Sequence, residues 1–212
     1  DPNDDDIEIE IKFIPYSGFG DCSLSELKKL HHKKYPVVLF LHGAGERGID
    51  NEAQLLHCSG QFLNPEIQEK YPAYVFFPQS PKGAFWSIPD RLTELSQDMF
   101  ASVKEPSWQL QTIKAMVDSI IQLPHVDSKR VYIMGISMGA MATYELCWRY
   151  PHLFAAAVPI CGGADINRLA SAACIHWRIY HGDADKVVPV TFSLILSLIV
   201  CEFSFATICI VA

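Results

Sequence analysis

The residues best suited to chemistry lie at Gly135-Ile136-Ser137-Met138-Gly139, a G-x-S-x-G pattern set between two segments of opposite character. Before it runs the apolar, β-branched stretch Val131 to Met134; after it runs Ala140 to Arg149, made of good helix formers. Strand, tight turn, helix is the context in which such a serine becomes a nucleophile. The turn must be sharp enough to strain the serine backbone and lift Oγ clear of the sheet. A Cβ at Gly135 or Gly139 would collide with neighbouring backbone. The helix start adds unpaired N–H groups and a positive dipole end where an oxyanion would form.

A second glycine-rich turn, His42-Gly43-Ala44-Gly45-Glu46-Arg47-Gly48, follows the continuous apolar run Pro36 to Leu41. Gly43, Gly45 and Gly48 spell G-x-G-x-x-G, the spacing of a dinucleotide fingerprint. That use needs a helix opening at once and an acidic residue ending the next strand. The next strand, Tyr74 to Pro78, runs instead into Gln79-Ser80. The turn therefore reads as the loop after an early strand that supplies a backbone oxyanion donor, with Gly43 and Gly45 letting the main chain approach a substrate carbonyl. His42 is then structural and not a general base.

These turns need a scaffold, and the pattern supplies one. Pro36–Leu41 is apolar without alternation, as in a strand buried on both faces of a parallel sheet. Leu110, Ile113, Met116, Val117, Ile120 and Ile121 mark an amphipathic helix that Pro124 ends. Further strands are expected at Phe154–Ile160 and Ile175–Tyr180. Strands alternating with helices imply an α/β domain with a mostly parallel sheet and helices on both faces. Near the N-terminus, Ile7, Ile9, Ile11 and Phe13 alternate with charged residues and predict an edge strand, followed by loop and a short helix to residue 35. Residues 78–106 read as loop. Phe85 and Trp86 within it are candidates for an apolar substrate wall, or equally for a hydrophobic cluster beneath the loop.

Composition narrows the function classes. The chain has 212 residues, 50% of them hydrophobic and 19% charged, which suits one compact domain over residues 1–190. Six acidic residues among the first ten account for most of the net charge of −7. The remainder is nearly neutral and carries no basic stripe, which argues against nucleic acid as a partner. The seven cysteines are scattered, with no C-x-x-C, and read as free thiols, leaning towards a cytoplasmic rather than a secreted protein.

Four blocks, Pro36–Gly48, Pro78–Trp86, Arg130–Asp165 and His181–Pro189, resemble the α/β-hydrolase fold. More narrowly they resemble the esterases grouped with polyhydroxybutyrate depolymerases, feruloyl esterases and phospholipase/carboxylesterases. The resemblance implies a serine hydrolase acting on small carboxylic esters, possible thioesters included, with no metal and no organic cofactor. It implies Ser137 as nucleophile, the N–H of Met138 with that of Gly43 or Ala44 as oxyanion hole, and Asp185 (rather than Asp183) as the acid of a triad.

In that family pattern the general-base histidine follows the acid. Residues 191–212 contain no histidine. This apolar stretch reads as an altered or truncated ending, lacking the last helix, the last strand and the histidine loop. Its length would also suit a membrane anchor, although Glu202 sits in its middle. A catalytically silent chain of the same fold is the alternative function. His42, His57 and His181 are the candidates to replace the missing base.

Overall fold

The computed structural model describes residues 33–87, 95–203 and 206–211. The strand expected at Ile7–Phe13 and the helix expected before residue 33 lie outside the described residues. Lys34–Ala212 forms one compact unit. Its frame is a six-stranded sheet in the order β2-β1-β3-β4-β5-β6, with every neighbouring pair parallel. The strands are β1 (Tyr35–Leu41), β2 (Tyr74–Phe76), β3 (Val126–Ile136), β4 (Ala156–Ile160), β5 (His176–Gly182) and β6 (Ala206–Val211). In β1, Val37 to Leu41 are buried without interruption, so both faces of this strand are covered, as its unbroken apolar run predicts.

The helices are α1 (Ser59–Leu63), α2 (Pro65–Lys70), α3 (Gln97–Ser102), α4 (Trp108–Ile120), α5 (Met138–Arg149), α6 (Ile166–Leu169) and α7 (Val190–Phe203). Ser107 caps α4 by accepting the Leu110 N–H, and Leu110, Ile113, Val117 and Ile120 form its buried stripe. Helix α5 is buried over Met138 to Cys147 and packs against β1, β3 and β4. Tyr144 on this helix stacks on Trp177 of β5 with ring centroids 5.5 Å apart, tying the helix to the sheet. The stretch read as loop over 78–106 contains α3, whose N-terminus Ser96 caps through the Met99 N–H.

The last helix and the last strand, expected to be missing, are both present. Helix α7 packs on β5, β6 and α6, burying Phe192, Ser193 and Leu196. Strand β6 continues the parallel sheet, with Trp177 opposite Ala206 and His181 opposite Ile210. Among the described residues no helix is long and apolar enough to cross a membrane.

Because all strands are parallel, their C-terminal ends share one rim. Leu41 lies opposite Gly135, so the turns after β1 and β3 emerge side by side. The chain goes from β1 outward to β2 and then back to β3 on the other side of β1. The β1/β3 junction is therefore the point where the strand order reverses, the crevice in which open α/β sheets bind ligands.

Candidate active site

Ser137 stands at that crevice, between the end of β3 and the first residue of α5, with φ 53° and ψ −114°. A positive φ is costly for a residue bearing a Cβ and persists only where the surroundings enforce it. Three features enforce it here. The Ser137 N–H donates to the Ile160 carbonyl at 2.8 Å, and the Ser137 carbonyl accepts from the N–H groups of Ala140 and Met141. A Cβ on Gly135 would lie 2.2 Å from the Gly139 oxygen, and one on Gly139 would lie 2.0 Å from the Leu41 oxygen. Both glycines of the motif are thus demanded by backbone approach. The Met138 N–H stands at the first helical position, where it has no intrahelical acceptor.

Opposite Ser137 lies the turn after β1. A Cβ at Gly43 would sit 3.7 Å from Ser137 Cβ and 3.6 Å from the Ile136 oxygen. The turn runs into a 3-10 segment at Ala44–Glu46, not into the long helix that a dinucleotide site requires. Gly43, Ala44, Gly45, Glu46, His57, Ile136 and Ser137 line a cavity of about 260 Å³. Gly43 and Ala44, two of the three candidate oxyanion residues, therefore share this cavity with the candidate nucleophile.

His42 braces this turn from beneath. Its Nε2 accepts the Ser80 N–H at 2.8 Å, which leaves Nδ1–H to donate to the Gly43 oxygen at 2.6 Å. Burial lowers its pKa, against an opposing contribution from the Gly43 hydrogen bond. A neutral imidazole with both nitrogens engaged has no lone pair to offer Ser137. Trp86 donates its indole N–H to the His42 carbonyl at 3.1 Å and packs edge-on against the imidazole. Trp86 is 2% exposed and belongs to the main core, and Phe85 lies under the Arg47 guanidinium. Neither lines the Ser137 cavity: of the two uses open to them, the packed one is what this geometry gives.

Asp185 lies on the same rim, beyond β5. Its Oδ1 accepts the N–H groups of Val187 and Val188 at 2.8 and 3.0 Å, and Oδ2 lies 3.5 Å from His181 Nε2. Partial burial raises its pKa, but the Val188 and Val187 N–H groups together with His181 and Cys161 outweigh this, so the net shift is downward. The result is a fixed carboxylate near solvent. No hydrogen bond or ion pair joins it to Ser137 among the described residues.

His181 is buried and its ring is spent. Nε2–H donates to the Val188 carbonyl at 2.8 Å, and Nδ1 pairs with Ser193 Oγ at 2.7 Å. Cys161, His181 and Asp185 bring possible ligand atoms within 4.8 Å of one another. A metal would nevertheless have to displace the proton that holds Val188, so the donor set fits an ion poorly. His125 precedes β3, His176 starts β5 and His152 follows α5, all at the end of the sheet away from Ser137. His57 is the described histidine that reaches the Ser137 cavity. It is one of the three histidines the sequence offers as a replacement base, but pattern alone does not choose it, because His57 sits in an aperiodic loop whose path depends on distant contacts.

Those contacts are specific. Gln79 Nε2 donates to the Glu46 carbonyl and to Asp50 Oδ1, and the Asn51 N–H donates to Gln79 Oε1. Asp50 in turn accepts the N–H groups of Glu52 and Ala53. With these three donors its pKa falls to about 2. The loop that carries His57 is thereby tied to the segment after β2. Glu46 Oε1 lies 3.4 Å from His57 Nε2.

The comparisons with known proteins agree with this fold. A thermostable esterase of known structure superposes with a TM-score of 0.76 at 32% identity, covering 84% of this chain and 47% of that one. The esterase PE8 shares the fold, with a TM-score of 0.65 at 21% identity over 86% of this chain and 85% of that one. The chain is 30% identical over 134 residues to poly(3-hydroxyalkanoate) depolymerase C of Paucimonas lemoignei, which is 60% of this chain and 28% of that protein. It is 33% identical over 98 residues to acetylxylan esterase A of Emericella nidulans, 46% of this chain and 30% of the relative. The chain thus spans under a third of the length of the curated relatives it matches. The phospholipase/carboxylesterase family pattern matches residues 24–200. The resemblance seen in the four sequence blocks extends over most of the chain, which belongs to the phospholipase/carboxylesterase family of α/β-hydrolases.

Proposed function

We propose that this protein hydrolyses small carboxylic esters, and by the same chemistry thioesters, through an acyl-Ser137 intermediate. The observation that carries the reading is Ser137 itself. It is a non-glycine residue held at φ 53°, at the start of a buried helix, facing the glycine turn after β1 across one cavity. Family membership and the named esterases among its relatives support the same chemistry.

In this reading Ser137 Oγ forms a bond to the ester carbonyl carbon and gives its proton to a base. The carbonyl oxygen becomes an oxyanion, held by the N–H of Met138 and one from Gly43 or Ala44. The intermediate collapses, the carbon–alcohol bond breaks, and the alcohol leaves with a proton. Water repeats the sequence on the acyl-serine and frees the acid. Asp185 is the carboxylate that steadies the base as it becomes cationic.

A second reading, a silent chain of the same fold, is favoured by one observation: the ring nitrogens of His42 and His181 are all engaged. Intact-protein mass after fluorophosphonate treatment separates the two, because the probe reacts with a serine whose proton has an acceptor. A single adduct lost in Ser137→Ala supports the hydrolase. Folded protein without an adduct would overturn it.

A further inference from the structure

The Ser137 cavity has glycine, alanine and isoleucine around most of its wall, and two ionisable side chains, Glu46 and His57. Glu46 is 9% exposed. A point 3.0 Å from its Oε2, where a Gly43 Cβ would stand, is also 3.7 Å from Ser137 Cβ. The carboxylate is thus no farther from Ser137 Cβ than those two distances laid end to end. Its neighbour Arg47 forms no ion pair with it among the described residues. That guanidinium donates through Nε to the Ala44 carbonyl and through a terminal nitrogen to the Ala84 carbonyl, and its plane covers Phe85. The pairing that remains is His57, whose side chain is 46% exposed and charged only when protonated.

A little-hydrated carboxylate this close to the reacting carbonyl acts on any substrate group that shares the cavity, and low-dielectric walls strengthen its field. We infer that Glu46 determines specificity: the site selects esters carrying a cationic or hydrogen-bond-donating group and rejects esters carrying a free carboxylate. The inference rests on the reading of Ser137 as nucleophile but concerns a different residue. Hydroxyl and ammonium groups share the required chemistry, a positive end that a carboxylate can accept. His57, on the solvent side of Glu46, holds that carboxylate in place and yields it to a donor from the substrate.

Three shape-matched pairs of esters test this. Acetylcholine is compared with 3,3-dimethylbutyl acetate, its uncharged isostere; glycerol monoacetate with 2-methylbutyl acetate; and monoethyl succinate with ethyl 4-methylpentanoate. In the unmodified protein kcat/KM favours the cationic member over its neutral partner by roughly tenfold and disfavours the anionic member by a similar factor. The glycerol ester gains less, on the order of threefold. In Glu46→Gln the charge-dependent ratios collapse towards unity, mainly through KM. Ratios that survive in Glu46→Gln, or that are already near unity in the unmodified protein, overturn the inference. A response of the acetylcholine pair without the glycerol pair narrows the selected group to cations, and the reverse narrows it to hydroxyls.

If the esters are not turned over, binding gives the answer without chemistry. Choline and 3,3-dimethylbutanol are titrated into Ser137→Ala while the His57 imidazole signals are followed by NMR. Choline binding tighter than its neutral isostere, and lost on adding Glu46→Gln, supports the inference although the hydrolase reading has failed. Equal binding of the two alcohols, or none, overturns it.

Discussion

The Cα of Gly139 faces the Leu41 carbonyl so closely that a methyl group there would stand 2.0 Å from the oxygen and 2.8 Å from that of His42. The turn bearing Ser137 and the strand end leading to the oxyanion loop are therefore pressed backbone to backbone. Any side chain at this contact drives the two apart.

Gly139→Ala and Gly135→Ala should each cost about 4 kcal/mol or more, beyond the usual range for single substitutions, because backbone and not flexible side chain must move. Gly45→Ala provides the control. Its Cβ meets nothing within 4 Å, and the change should stay within about 0.5 kcal/mol. Urea unfolding of the three variants gives the comparison.

His42→Ala should destabilise the fold by about 1–3 kcal/mol, since it strands the buried Ser80 N–H and Gly43 carbonyl. Because burial lowers the His42 pKa in the folded state, the unfolded chain binds the proton more readily. Stability is therefore complete above the unfolded value of about 6.5 and declines as pH falls below it. Thermal melts from pH 7.5 to 5 should show a steeper decline in the native sequence than in His42→Ala.

Asp50 behaves in the acid range. Its folded pKa of about 2 lies below the ordinary value of 3.8, so its contribution is present above the ordinary value and is lost as pH falls through the folded one. Between those two values the loop carrying His57 should become accessible to pepsin before the sheet unfolds. Asp50→Ala should show the same cleavage at pH 4.

Asp185→Asn keeps an oxygen for the Val187 and Val188 N–H groups but removes the negative charge. Ester turnover should fall by about 10³-fold or more in kcat with little change in KM or in melting temperature. Steady-state kinetics alongside calorimetry checks the pair of outcomes.

Leu196 is fully buried where α7 meets the sheet. Leu196→Ala should cost about 2–5 kcal/mol. A loss below about 1 kcal/mol in denaturant titration would mean that α7 contributes little to the core.

Much of this arrangement is readable in the sequence where geometry is local. The glycines at 135 and 139 announce the tight turn because only hydrogen fits there, and the unbroken apolar run from Val37 to Leu41 announces a strand covered on both sides. What lies hidden is set by distant partners. Helix α7 escapes pattern reading because Leu194 and Ile195 stay exposed while Phe192, Ser193 and Leu196 turn inward, so no polar face marks the stripe. The place of His57 beside Ser137 depends on Gln79 and Asp50, far apart in sequence. Trp86 reads equally as a substrate-facing or a packed aromatic, and only its indole N–H on the distant His42 carbonyl marks the packed use.

The strand order carries a consequence for how the molecule is made. From β3 onward each new strand docks on the outer edge left by the one before it, β4 on β3, β5 on β4 and β6 on β5. The sheet can therefore grow in the direction of synthesis, with each arriving segment meeting a finished template and no earlier pairing needing to be undone. During translation the unpaired edge moves along with the ribosome. Once β5 has docked and until β6 arrives, that edge is Trp177 to Gly182 of β5, the surface on which a chaperone or a second nascent chain would act.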